Sequence, residues 1–156
     1  NNKNVLGVHY RGTDKKYEAK RVSYETIERN INLFLTKHPK TNCIFVSSDE
    51  NKFINYIENS SITCPIIYNN DSFRSFNNSP VHTAENNLYE INKDAVINCL
   101  LLSKCNTLMK SSSILSDWSV LFNPKIKLIL LNKPYEKYKY FPGKEFYNSV
   151  LYEVIE

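Results

Sequence analysis

Val5-Leu6-Gly7-Val8-His9-Tyr10-Arg11-Gly12-Thr13-Asp14-Lys15 decides the fold, because an apolar strand runs straight into a turn loaded with polar groups. Open α/β sheets place their ligand sites at such strand ends. Arg11 offers a planar fork of donors suited to two phosphate oxygens, and His9 offers a second donor. Gly12 lets the backbone bend without a side chain in the way. An anionic ligand is the expected guest. The plainer reading of the same residues is a turn in which Arg11 and Asp14 pair with each other, and the stretch alone leaves both open.

Working outward, strand and helix patterns alternate along the chain. Ser23 can cap a helix whose apolar residues Ile27, Ile31, Phe34 and Leu35 recur at helical spacing, and His38-Pro39 ends it. Cys43-Ile44-Phe45-Val46 reads as a buried strand, followed by a helix through Phe53, Ile54 and Ile57, and by a third strand over 65–68. The region 69–87, rich in Asn, Ser and Asp, is expected to be a long irregular loop, mobile, functional or both. Residues 94–104 are apolar on several faces and predict a helix buried between sheet and neighbours. A fourth strand over 107–110 leads through Ser111-Ser112-Ser113 into a helix closed by Pro124. Its stripe of Ile114, Leu115, Trp118, Leu121 and Phe122 is expected to be core. A fifth strand over 126–131 leaves a Tyr-rich tail.

This alternation predicts an α/β fold: a doubly wound, mostly parallel, Rossmann-like sheet with helices on both faces. In the strand order 3-2-1-4-5, the loops after strands one and four face one crevice. That brings Arg11 to the serines 111–113. The backbone N–H groups and positive dipole end of the following helix favour phosphate there, with Ser112 and Ser113 as further donors. Simple capping of the helix by one of these serines is the alternative.

The 156 residues fit one domain, 1–156, and the chain, which starts at Asn1, is expected to be cut from a longer protein. A net charge of +4 is mild and the basic residues are scattered, so nucleic acid is not an expected partner. Cys43, Cys64, Cys99 and Cys105 lack zinc spacing or a Cys-x-x-Cys pair and are expected to be buried free thiols, which leans towards a reducing compartment. With three histidines and no His/Asp/Glu cluster, no built-in metal site is expected. No apolar stretch is long enough to span a bilayer and no leader is evident, so any such signal is expected upstream.

The string His9-x-Arg11-x-Thr13-Asp14-Lys15 resembles the first motif of the fucosyltransferases that include the α1,6-fucosyltransferases, the nodulation-factor fucosyltransferases and the protein O-fucosyltransferases. Phe45-Val46-Ser47-Ser48-Asp49-Glu50 is similar to the second motif, and Asp94-Ala95-Val96-Ile97-Asn98 through Lys110-Ser111-Ser112-Ser113 to the third. The resemblance implies the C-terminal, donor-binding lobe of a GT-B-like glycosyltransferase. It implies metal-independent, inverting transfer of fucose from GDP-fucose to a glycan or protein hydroxyl, with an acceptor-binding N-terminal lobe outside this chain. It makes the compartment, cytoplasmic or Golgi/ER-luminal, a matter for the upstream sequence.

Within that resemblance Arg11 holds the β-phosphate, with His9, Gly12 and Asp14 in the same motif and Lys15 in register beside them. Glu18, one place out of register, takes the position of the base that accepts the acceptor's proton. Asp49 matches an acidic residue of the second motif, with a structural bond to a neighbouring loop as the competing account. Asn98 stands where the family has an aspartate that reads guanine. Asp94, one turn earlier, is the alternative acceptor, unless it serves the dipole at the helix start. Gly12 replaces the second arginine of the α1,6 enzymes, so linkage and acceptor do not carry over. Tyr135, Tyr138, Tyr140 and Phe141 can stack on sugar or pack against the other lobe, the second being the stronger expectation.

Overall fold

Alternation along the first strand sorts its side chains between two helical layers, and the rest of the architecture follows from that sorting. The structure is a computed structural model that describes residues 3–13, 17–75, 87–143, 145 and 152–154. Its elements are β1 (Val5–Tyr10), α1 (Tyr24–Lys37), β2 (Cys43–Ser48), α2 (Asn51–Glu58), β3 (Ile66–Tyr68), α3 (Leu88–Ser103), β4 (Thr107–Lys110), α4 (Ile114–Phe122), β5 (Lys127–Leu130) and β6 (Tyr152–Val154). Among the described residues the strands form one six-stranded sheet in the order β3-β2-β1-β4-β5-β6, and every strand pair is parallel. This is a Rossmann-like α/β fold. The fifth-strand expectation is met, and β6, within the Tyr-rich tail where no further strand is expected, adds an edge beyond it.

On one face Leu6, Val8 and Tyr10 join Ile44, Val46 and Met109 beneath α1 and α2, which contribute Ile27, Ile31, Phe53 and Ile57. On the other face Phe45, Leu108 and Leu128 pack against Leu102 of α3 and Val120 of α4. Local chemistry starts and stops the elements where expected: Ser23 Oγ accepts from Thr26 N at 3.2 Å, a cap worth about 1 kcal/mol, and α1 ends at His38 before Pro39. All four cysteines are free; Cys99 and Cys105 are buried and Cys43 and Cys64 half-buried. Burial pushes the Cys105 thiol up to about 12, so it stays protonated. No helix of the described residues is long and apolar enough to cross a membrane.

Two expectations about the second layer fail. α3 begins at Leu88, so Asp94 lies well inside the helix rather than at its start. Moreover α3 is not enclosed: Val96, Ile97, Leu100 and Leu101 are exposed, and on α4 Ile114, Trp118, Leu121 and Phe122 are exposed rather than core. Periodicity reports which residues share a face of a helix, and a helix apolar nearly all round has no polar face to mark the outside.

Candidate functional site

The crevice opens at the C-terminal ends of β1, β2 and β4, where the order of strands reverses around β1. A cleft of about 400 Å³ is lined there by His9, Arg11, Asp49, Asp94, Asn98 and Ser113, with Ile91, Ala95 and Leu115 among its apolar walls. Six residues named from sequence, spread from strand one to the fourth helix, thus share one cavity.

Its floor is knit from the strand-end loops. Ser111 N donates to His9 O at 2.9 Å and Arg11 N donates back to Ser111 Oγ at 2.9 Å. Ser112 N donates to Asn132 Oδ1 at 2.6 Å, so Ser112 ties its loop to the one after β5 and does not line the cleft. Asp49 accepts from Gly12 N at 3.1 Å and from Thr13 Oγ1 at 2.6 Å, while Arg11 Nε lies 3.6 Å from its Oδ2. Asp49 therefore braces the loop after β1 and holds Arg11, the structural account of that residue.

Gly12 is needed for a reason other than turning. Among the described residues no glycine has a positive φ. A Cβ at Gly12 would instead fall 2.4 Å from Glu50 Oε1. The Glu50 carboxylate, 1% exposed, accepts from Arg21 Nη2 at 3.1 Å and from the Tyr24 hydroxyl. Burial, then the bond to Glu50, pushes the Tyr24 hydroxyl far above its ordinary range, so it remains a donor.

His9, 3% exposed, points to the opposite face from Tyr10, as neighbours on a strand must. Ser116 Oγ donates to Ser113 O at 3.1 Å and so receives the proton of His9 Nδ1, 2.9 Å away. Below it Lys110 Nζ meets Asp117 Oδ1 at 2.7 Å, both side chains buried. Together these bonds fasten the first turn of α4 to the sheet. Ser113 occupies the N-cap of α4, yet its side chain makes no capping bond. Its Oγ is buried with no hydrogen-bond partner, at the end of a helix whose first N–H groups are themselves in need of acceptors.

The α3 wall carries the other polar end. Asp94 Oδ1 accepts from Asn69 Nδ2 at 3.1 Å, Ser72 Oγ at 3.0 Å and Asn98 Nδ2 at 2.8 Å, and its Oδ2 accepts from Phe73 N at 3.1 Å. Asp94 thereby orders the loop after β3. Asn98 spends its amide hydrogens on Asp94 and Ser72, and its Oδ1 takes no hydrogen bond among the described residues.

The chain matches no protein-family model and no curated protein.

Glu18 stands apart from the cleft. It is half-buried, its carbonyl accepts from Tyr135 N at 2.8 Å, and Ala19 bridges to Pro134 beside it. Asp14 and Lys15 lie outside the described residues. Tyr135, Tyr140 and Phe141 are exposed and Tyr138 half-buried, none of them lining the cleft. Among the described residues no group of three or more His, Cys, Asp or Glu is placed to hold a metal ion. Sequence reasoning missed Arg21, Glu50, Ser116 and the Lys110–Asp117 pair as supports of the site. A signal existed for the last: each is a lone charge inside an apolar strand or helix.

Proposed function

We propose that this domain binds the donor of a glycosyltransferase, a nucleotide sugar of the GDP-fucose type, in the cleft at the ends of β1, β2 and β4. The observation that carries the reading is Ser113 Oγ, buried and unpartnered at the N-terminus of α4, in the cleft that Arg11 also lines. An anionic diphosphate supplies the acceptor that this hydroxyl, the helix N–H groups and the Arg11 guanidinium have in common. Donors fixed before binding are also what stabilises a departing diphosphate, which makes transfer without a metal ion chemically self-sufficient. At the far end Asn98 Oδ1 would accept a base N–H such as that of guanine, a reading supported by Asn98 lining the cleft while Asp94 is engaged in holding its loop. The acceptor, a glycan or protein hydroxyl, and the lobe that binds it belong to the remainder of the proposed enzyme.

The position of Glu18 away from the cleft supports a second reading, a nucleotide-binding module without transfer. Calorimetric titration with GDP and UDP tests the shared premise. Arg11→Ala should weaken both nucleotides by about tenfold to a hundredfold, the value of a charge-assisted bond, and Asn98→Ala should erase only the preference between them. No measurable binding, or binding indifferent to Arg11→Ala, refutes the site. Hydrolysis of a panel of nucleotide sugars by the full-length protein then separates enzyme from module.

A further inference from the structure

From 95 to 103 helix α3 carries no charge, and the single charge of α4, Asp117, is turned inward to Lys110. Over 95–103 and along α4 the side chains shown to solvent are apolar, whereas nearer the start of α3 Glu90, Asn92 and Lys93 are exposed. Val96 and Leu100 form a ridge on α3, Ile97 and Leu101 face a groove beside β3, and Trp118 and Phe122 stand out from α4, 42% and 58% exposed. The groove, about 560 Å³, is also lined by Ile67, itself half exposed, and by the charged Asp71, Glu90, Lys93 and Asp94.

We propose that this face is the interface with a second copy of the chain. Its nine large apolar residues, each 38–58% exposed, open on the order of 700 Å² at roughly 150–250 Å² per large side chain, above the ~300–600 Å² patch of an ordinary monomer. It is also close to the ~800 Å² that each partner gives a stable interface. Self-association through a two-fold axis requires one patch to carry both halves of the fit. This one does: the ridge of Val96 and Leu100 lies between a recess on one side and protruding rings on the other. An axis through the ridge sets α4 of each copy over the groove of its partner, and neither residues 95–103 nor the outer side of α4 brings a charge to the axis.

The axis makes Leu100 the diagnostic position, since each copy's Leu100 then approaches the other's. Sedimentation equilibrium of the chain should show a dimer. Leu100→Asp, which places two like charges together, should raise its dissociation constant about a hundredfold without changing the far-UV circular dichroism. In case that variant fails to fold, Leu100→Cys supplies a second readout. Under diamide, which takes up the two thiol hydrogens as the disulfide forms, it should couple to covalent dimer much faster than Leu33→Cys, an exposed position on α1. A chain that sediments as a monomer overturns the proposal. So does a full-length protein that stays monomeric because another of its segments covers the face, or coupling at Leu33→Cys as fast as at Leu100→Cys.

Discussion

Helices α1 and α2 turn Ile27, Ile31, Phe34 and Phe53 inward and meet at a polar outer rim, where Glu28 accepts from Tyr56 and Ser61. Helices α3 and α4 do the reverse. They meet through small and polar groups, with Ser119 Oγ donating to Cys99 O at 2.9 Å and Asn123 Nδ2 to Ser103 O at 2.8 Å, and they point larger apolar side chains outward. Small residues let two helices approach closely, which leaves the bulky ones nowhere to go but away from the seam. The contrast separates a layer finished by water from one that still has surface to cover. It also separates two ways of fastening a helix to a sheet, hydrocarbon packing under α2 and a buried ion pair under α4.

The largest expected effect breaks that second distinction. Lys110→Met takes the cation from the buried Asp117 carboxylate and should cost about 3–5 kcal/mol in urea unfolding, as should Phe53→Ala in the opposite layer. The two losses differ in remedy. Adding Asp117→Leu to Lys110→Met should restore most of the stability, because two apolar groups replace a pair that was costly to desolvate. Failure of the double variant to recover would mean that the ion pair is itself a net source of stability.

Smaller effects are expected from the two glycines that touch opposite layers. Gly12→Ala forces its methyl into the Glu50 carboxylate, which Arg21 and Tyr24 hold in place, and should cost roughly 2 kcal/mol with weakened nucleotide binding. Gly7→Ala meets Cys105 Sγ at 3.0 Å and Leu102 Cδ2 at 3.4 Å, where a slight shift of α3 relieves the contact; about 1 kcal/mol or less is expected. Equal losses at the two sites would show that the α3 layer is as unyielding as the other.

The smallest effect lies at the polar rim. The Tyr56 hydroxyl, then Ser61, holds the Glu28 carboxyl below its ordinary range. A depressed carboxylate adds stability above its unfolded pKa of about 4.3 and loses it as pH falls through the folded value. Glu28→Gln should flatten stability against pH only in that acid window. An unchanged acid slope would remove the bond from the seam.

The strand order, the fastening of α1 and the convergence of Arg11 with Ser113 could all be read beforehand, because alternation of elements and strand-end loops constrain one another. β4 was legible to the residue, since Asn106 precedes and a serine run follows it. β6 was not, because three residues in an aromatic tail carry no alternation to distinguish them. The role of Gly12 was misread: a turn and a close approach both call for glycine, and only the partner across space, Glu50, tells them apart. Asp94 and Asn98 were rightly placed together by helical spacing. That one holds a loop and the other keeps a carbonyl oxygen open depends on side chains from 69–73, which no local pattern could supply.

The reciprocal bonds between the loop after β1 and the loop after β4, with Asn132 reaching from a third, bear on how fast and how favourably anything can enter the cleft. Segments hydrogen-bonded to one another surrender their conformational freedom when the chain folds. An arriving ligand therefore meets a rigid receptor and spends little of its contact energy on ordering it. Association at such a floor is governed by encounter and desolvation, so that chemical change in the ligand should be read mainly in its residence time.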